Sequence, residues 1–171
     1  GLVNNAGIIQ PFVKISELTR KQAEKVMDVN FWGVFDLTKA FLPELTNRPE
    51  AHIMNISSMG AYAPVPGQSV YGASKAAVKL FTEGLRSELM DTNIGVTIVF
   101  PGSVATNITE NSGIDIPAGS EDQAANFKPM LAKDAAKKMV DAFESGKPRI
   151  TVGKDATFMD RYSRLSPIGA A

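Results

Sequence analysis

The chain has 171 residues, with 18 basic and 18 acidic side chains and a formal net charge of zero. This length and a hydrophobic content of 44% are typical of one globular domain with a substantial core. The balanced charge argues against a nucleic-acid or anionic-membrane partner, and the lack of Cys excludes disulfides, zinc–thiolate sites and cysteine nucleophiles. Because His52 is the only His, a histidine-rich metal site is also excluded, and we predict no metal.

No apolar run approaches the ~18 residues of a membrane span, and no signal-peptide pattern opens the chain. We therefore expect a cytoplasmic protein that does not contact a membrane. The first residue is Gly1, not Met, and it begins inside what looks like a strand.

Short apolar runs alternate with longer amphipathic stretches, which predicts repeated βα units and a parallel sheet. A first strand at residues 2–3 leads into a turn at residues 4–7. A long helix is predicted from about Thr19, closed by Pro43 and then by Asn47, Arg48 and Pro49. Its middle is apolar almost all round, so we expect it to pack on two sides.

The second predicted strand is residues 52–56, and residues 59–69 form a loop whose prolines are expected to exclude helix. A second long helix at about 70–90 precedes a strand at 95–100, which is apolar enough to be buried on both faces of a sheet.

The polar composition of residues 107–130 predicts a mobile loop with at most a short helix. A helix at about 132–145, a last strand at 149–152 and an amphipathic segment complete the chain. Residues 1–171 are therefore expected to form one α/β domain.

Polar side chains gather where the predicted strands end. They are Asn4 and Asn5 after the first strand, Ser57 and Ser58 after the second, and Ser103, which follows Pro101 and Gly102, after the third. In doubly wound sheets the ligand crevice lies outside the carboxyl ends of the strands. These side chains are therefore candidates for one common site.

Two predicted helices carry further candidates. Tyr71 and Lys75 are four residues apart and lie on one helix face, and Asn30 lies in the apolar middle of the other helix. Each signal alone has an ordinary explanation: a chance pair, a satisfied structural amide, a turn or a strand terminator. Their order and spacing along the chain are what make them specific.

Asn30, Ser58, Tyr71 and Lys75, framed by residues 4–7 and by Pro101 with Gly102, resemble the short-chain dehydrogenase/reductase family. The resemblance covers residues 2–106, and the later part is similar to the family only in layout. It implies a Rossmann-type doubly wound parallel sheet, of which this chain holds the C-terminal portion.

The resemblance implies a catalytic tetrad of Asn30, Ser58, Tyr71 and Lys75 in an oxidoreductase that transfers a hydride between NAD(P)(H) and a carbonyl or secondary alcohol. Tyr71 is the implied general acid/base, which requires a pKa lowered by Lys75 and by the positive nicotinamide. Ser58 is expected to hydrogen-bond the substrate oxygen. Asn30 is expected to kink its helix and hold a water that connects Lys75 to solvent.

The same resemblance implies that NAD or NADP is the cofactor. The residues expected to contact it are Asn4, Ala6 and Gly7 on the adenosine side, Tyr71 and Lys75 at the nicotinamide ribose, Pro101, Gly102 and Val104 at the carboxamide, and Thr106 at the pyrophosphate.

The chain departs from the family in lacking its opening Gly-rich turn and the residue that selects the ribose. We therefore expect ~90 residues to precede Gly1 in the intact protein. The chain alone would expose its first strand as an unprotected edge, bind NAD(H) and NADP(H) weakly and show no turnover.

The missing phosphate loop favours an alternative, in which the chain is a non-catalytic family member that acts as an oligomerisation or binding partner. For either function the resemblance implies that the two long helices pair with a second subunit, giving a homodimer or homotetramer. A serine hydrolase fits poorly, because its nucleophile elbow requires Gly where Ile56 stands.

Overall fold

The structure is a computed structural model that describes residues 1–63, 65–114 and 128–170. In chain order its elements are β1 (Leu2–Asn4), α1 (Arg20–Met27), a π-helical turn (Asp28–Trp32), α2 (Gly33–Thr46), β2 (Ala51–Ile56), a 3-10 turn (Met59–Ala61), α3 (Ser69–Glu88), β3 (Ile94–Pro101), β4 (Val104–Ala105), α4 (Ile108–Ser112), β5 (Met130–Leu131), α5 (Ala132–Glu144), β6 (Arg149–Val152) and α6 (Lys154–Leu165).

The main sheet has four parallel strands in the order β1-β2-β3-β6. Helices cover both of its faces, so the predicted doubly wound α/β fold is confirmed. Within the described residues β1 forms one edge of this sheet, and Val3 on that strand is 53% exposed. The remaining strands, β4 and β5, form a separate parallel pair of two residues each.

The side chains of β3 alternate between two cores, as the period of an extended strand requires. Ile98 and Phe100 pack with Val78 of α3 on one face of the sheet. Val99 packs with Ala135 and Ala142 of α5 on the other face. A strand that is buried on both sides explains the nearly continuous apolar sequence that predicted it.

A buried polar chain ties the sheet to two helices. Asn4 Nδ2 donates to Asn55 Oδ1 of β2 at 2.8 Å and to Thr38 Oγ1 of α2 at 3.2 Å. Asn55 Nδ2 in turn donates to Thr82 Oγ1 of α3 at 2.9 Å. Buried amides need such partners, because each unpaired group costs about 1–3 kcal/mol. The chain therefore fixes β1 and β2 relative to α2 and α3.

One predicted helix stop and one predicted loop are wrong. Pro43 does not close the helix but lies inside α2, which ends at Thr46, just before the other predicted stop at Asn47. Proline removes the bond to the carbonyl of Lys39, and that residue is exposed on the helix surface, where water can replace the lost donor. The loop at 59–69 also contains helix, because the Ser58 hydroxyl accepts from Gly60 N and caps the 3-10 turn.

The region 107–130 contains the short helix that was predicted, α4. Strands β4 and β5 were not predicted, since two residues are too few to show a period. The remainder of the predicted loop, residues 115–127, lies outside the described residues.

No helix in the described ranges is long and apolar enough to cross a membrane. Across the same residues, no group of three His, Asp or Glu side chains is arranged to hold a metal ion.

The buried polar chain predicts a specific stability difference between two asparagines. Asn55→Ala leaves Asn4 Nδ2 and Thr82 without their shared partner and opens a small cavity, so we expect the free energy of unfolding to fall by about 2–4 kcal/mol. Asn47→Ala, at the exposed end of α2, should change it by less than about 0.5 kcal/mol. Denaturant unfolding monitored by circular dichroism measures both, and equal losses would contradict this account.

Candidate active site

A cleft of about 630 Å³ opens at the carboxyl ends of β1, β2 and β3, where parallel sheets place their ligands. Of the residues predicted for the site, nine line this cleft: Ala6, Gly7, Ser58, Tyr71, Lys75, Pro101, Gly102, Val104 and Thr106. Asn4 and Asn30 are buried behind it. Residues separated by up to 100 positions in the sequence therefore converge on one cavity.

Ser58 and Tyr71 approach each other above Gly60. A Cβ built on Gly60 would lie 3.3 Å from a Tyr71 ring carbon and 3.5 Å from Ser58 Oγ. Any larger residue would press on both side chains at this close approach. Burial raises the pKa of the Tyr71 phenol, and the hydrogen bond with the Ser58 side chain partly opposes that increase.

Lys75 is one helical turn beyond Tyr71 and is only 3% exposed. Its ammonium donates to the Ile56 carbonyl at 3.1 Å and lies 6.0 Å from the centre of the Tyr71 ring. Burial lowers the pKa of Lys75 to about 8. The Ile56 carbonyl is its only hydrogen-bond partner in the described part of the chain, so donors remain for a ligand.

Gly7 keeps space beside this ammonium. A Cβ at that position would lie 3.1 Å from Lys75 Nζ and 3.5 Å from Asn30 Oδ1. The glycine in the turn after β1 therefore leaves the ammonium open to the cleft.

Asn30 lies at the centre of the π-helical turn and is fully buried. Its Oδ1 accepts from Ile8 N at 2.8 Å, and its Nδ2 donates to Ile8 O and to Ser74 Oγ, each at 2.9 Å. Both amide hydrogens are thus in use, so the side chain can offer a water molecule only an acceptor oxygen. These hydrogen bonds anchor the loop after β1 against the helix that carries Tyr71.

Asn4 does not reach the cleft, because its amide belongs to the buried polar chain below. Its neighbour Asn5 lines the cleft instead. Successive residues of a strand point in opposite directions, so only one of two adjacent asparagines can face the cleft. The sequence does not determine which one, because it does not fix the register of so short a strand.

Two buried polar residues near the cleft were not found from the sequence. Asp155, near the start of α6, accepts a hydrogen bond from Ser103 N at 2.5 Å and so holds the turn after β3. A Cβ on Gly102 would clash with the Asp155 carboxylate, which explains the glycine there. Gln10 is 1% exposed and hydrogen-bonds the start of α3. Both partnerships join distant segments, so no local pattern reveals them.

Comparison with known proteins supports one family. The family model described as short chain dehydrogenase matches residues 1–116. The chain is 39% identical over 171 residues to the Mycobacterium tuberculosis protein SadH, covering 95% of this chain and 60% of SadH. It is 37% identical over 145 residues to mouse dehydrogenase/reductase SDR family member 7B, covering 84% of this chain and 44% of the mouse protein. The chain thus spans less than two thirds of the length of either relative.

Solved structures agree with the sequence comparison. A short chain dehydrogenase from Burkholderia cenocepacia in complex with NADP superposes with a TM-score of 0.79 at 27% identity, covering 96% of this chain and 64% of that one. A short-chain dehydrogenase from Sphingobium yanoikuyae in complex with NADPH gives a TM-score of 0.76 at 26% identity, covering 98% and 65%. By sequence and by fold, the chain belongs to the short-chain dehydrogenase/reductase family.

Proposed function

We propose that the chain carries the catalytic groups of an oxidoreductase that transfers a hydride between NAD(P)(H) and a carbonyl or secondary alcohol. The observation that carries this proposal is the convergence of Ser58, Tyr71 and Lys75 at the end of β2. A phenol, a hydroxyl that can orient a substrate oxygen and a buried ammonium are the groups that proton transfer at a carbonyl requires.

A nicotinamide cofactor fits the residues present. Lys75 has donors left for ribose hydroxyls, and Gly7 leaves its ammonium open to the cleft. Pro101, Gly102 and Val104 supply backbone along the opposite wall. The related structures from Burkholderia cenocepacia and Sphingobium yanoikuyae contain NADP and NADPH, and we propose NAD or NADP for this chain. When bound, the nicotinamide supplies or accepts the hydride.

Tyr71 handles the proton that accompanies the hydride. In reduction the carbonyl carbon gains the hydride, and the phenol gives its proton to the carbonyl oxygen to complete the alcohol. In oxidation the phenolate takes that proton back. The Ser58 hydroxyl donates to the same oxygen and holds it next to Tyr71.

The protonation state of Tyr71 determines which direction of the reaction this side chain can assist. Burial keeps the phenol protonated, because it raises the pKa of Tyr71. A protonated phenol is the form needed for reduction. Oxidation needs phenolate, which the Lys75 ammonium and the positive charge of an oxidised nicotinamide both stabilise.

Tyr71→Phe tests the proposed function in the natural protein at its full length. The ring stays packed while the proton donor is lost, so we expect kcat for ketone reduction to fall by ~10²–10⁴ with cofactor affinity nearly unchanged. Steady-state assays with NADH and with NADPH, together with calorimetric titration of both, provide the measurements.

Tyr162→Phe is the matched control, since it makes the same change on α6, outside the cleft. It should retain the wild-type rate. Retention of that rate by Tyr71→Phe, or a natural protein that reduces no carbonyl, would overturn the proposal.

Lys75→Met should increase stability while it removes function. The folded-state pKa of about 8 lies below the ordinary 10.5, so folding disfavours the ammonium. The cost is fully present below pH 8 and disappears as pH rises towards 10.5. We therefore expect the substitution to raise the free energy of unfolding by about 1–3 kcal/mol at pH 7, and by progressively less above pH 8.

Denaturant unfolding across this pH range measures the effect. Lys79→Met is the control and should bring no gain, because Lys79 lies on the same helix but is 27% exposed and paired with Glu83. A stability gain that does not decline with rising pH would contradict the assigned cause.

One observation supports oligomerisation. It also supports the alternative function, in which the chain is a non-catalytic oligomerisation or binding partner. Trp32, Phe41 and Leu80 are 49%, 47% and 65% exposed on the helices that line one side of the sheet. Large apolar side chains exposed on helices along one side of a sheet are typical of interfaces. We propose that this surface pairs with a second copy in a homodimer, or in a homotetramer built from two such dimers.

Leu80→Glu tests the assembly. It places a charge within this surface and should convert the oligomer to a monomer, whereas Val140→Glu, exposed on α5, should leave the oligomer intact. Multi-angle light scattering at micromolar concentration distinguishes the two. A wild-type monomer would contradict the proposal, and an oligomer without turnover would favour the non-catalytic alternative.

A further inference from the structure

We propose that Gln10 is a positioning residue for Tyr71: from the loop after β1, its buried amide holds the first turn of α3 in place. This inference rests on the proposed function, because it assigns Gln10 a role through the proposed acid/base.

The contacts of Gln10 fix its amide in one orientation. Its Oε1 accepts from Val70 N at 2.7 Å and from Tyr71 N at 3.0 Å. Its Nε2 donates to Gly67 O at 2.8 Å. If the oxygen and the nitrogen exchanged places, the amide NH₂ would face the two backbone N–H donors, and the amide oxygen would face the Gly67 carbonyl. The side chain therefore has a single orientation that satisfies all three contacts.

The start of α3 needs this oxygen. The first N–H groups of a helix have no acceptor within the helix, and a side chain at the N-cap usually serves the second and third of them. At α3 the N-cap is Gln68, whose side chain makes no capping bond. Val70 and Tyr71 are the second and third residues of the helix, so Gln10 serves the groups that a local cap would serve. By contrast, α1 is capped locally by Thr19.

The loop that carries Gln10 is itself held in place. Gln68 Nε2 donates to Gln10 O at 2.7 Å, which makes the contact with α3 reciprocal. Two residues earlier, Ile8 is anchored by both ends of the Asn30 amide. The loop therefore joins the π-helical turn to the first turn of α3, which contains Tyr71. Its Ile8 and Ile9 also line the cleft, so it connects the cleft wall with the acid/base.

Removing the acceptor oxygen should misplace Tyr71 without emptying the cofactor site. Gln10 does not line the cleft, so its loss removes no ligand contact. Small displacements of a reacting group reduce rate far more than binding. We expect Gln10→Met, which keeps the length of the side chain, to lower kcat by ~10–100-fold while the KM for cofactor stays within about twofold.

The experiment uses the natural protein at its full length, with Gln10→Met, Gln10→Glu and Thr82→Val. Gln10→Glu, as a neutral carboxyl, keeps an acceptor oxygen for Val70 and Tyr71 and an O–H donor for the Gly67 carbonyl, so it should restore most of kcat. Thr82→Val lies on the same helix and leaves Asn55 Nδ2 without its partner, so it controls for destabilisation alone and should keep the wild-type kcat. Steady-state kinetics are combined with hydrogen exchange of the Val70 and Tyr71 amides, read by nuclear magnetic resonance.

Amide hydrogen exchange tests whether Gln10 caps α3 independently of any catalytic turnover. In Gln10→Met both amides should exchange at least ~10-fold faster, while Gln10→Glu and Thr82→Val should keep their protection. Unchanged protection in Gln10→Met, or an unchanged kcat with protection lost, would overturn the inference. A wild-type protein without carbonyl reduction would instead refute the proposed function, and the exchange rates would still decide whether Gln10 holds this turn.

Discussion

The Lys75 ammonium is a cation held almost out of contact with water, with one carbonyl as its partner in the described residues. Such a position is unfavourable for a charge, and burial accordingly lowers the pKa of Lys75 to about 8. The surrounding structure must therefore be rigid enough to keep the ammonium there. Helix α3 is held directly at this residue, because the Ser57 hydroxyl donates to the Lys75 carbonyl itself at 2.8 Å.

The loop after β1 contributes the other half of that rigidity. It leaves the sheet at Asn4, whose amide joins two strands and α2. It passes Gly7 beside the ammonium and is then held by the Asn30 side chain at Ile8. Buried amides therefore position the loop and the strands around this cleft. Preorganisation of this kind spares a site the cost of ordering itself when a ligand binds.

The order of polar residues along the chain was sufficient to predict much of the site. Ser58, Tyr71 and Lys75 line one cleft, as their positions after β2 and on one face of α3 predicted. The sequence could not show that Asn4 lies beneath the cleft while Asn5 faces it, because that depends on the register of a three-residue strand. It also could not show that burial raises the pKa of Tyr71, since burial depends on what packs around the ring.

By itself, the sequence determined the alternation of strands and helices and the parallel sheet, because hydrophobic period is a local property of the chain. It also carried the motifs by which the chain resembles its family. It missed the cap of α3 by Gln10 and the support of the turn after β3 by Asp155, each of which joins segments more than 50 residues apart. Only the tertiary structure decided those contacts. A buried donor or acceptor needs a hydrogen-bond partner, and the fold can supply that partner from any part of the chain. The neighbouring residues in the sequence therefore do not reveal which residue the partner is.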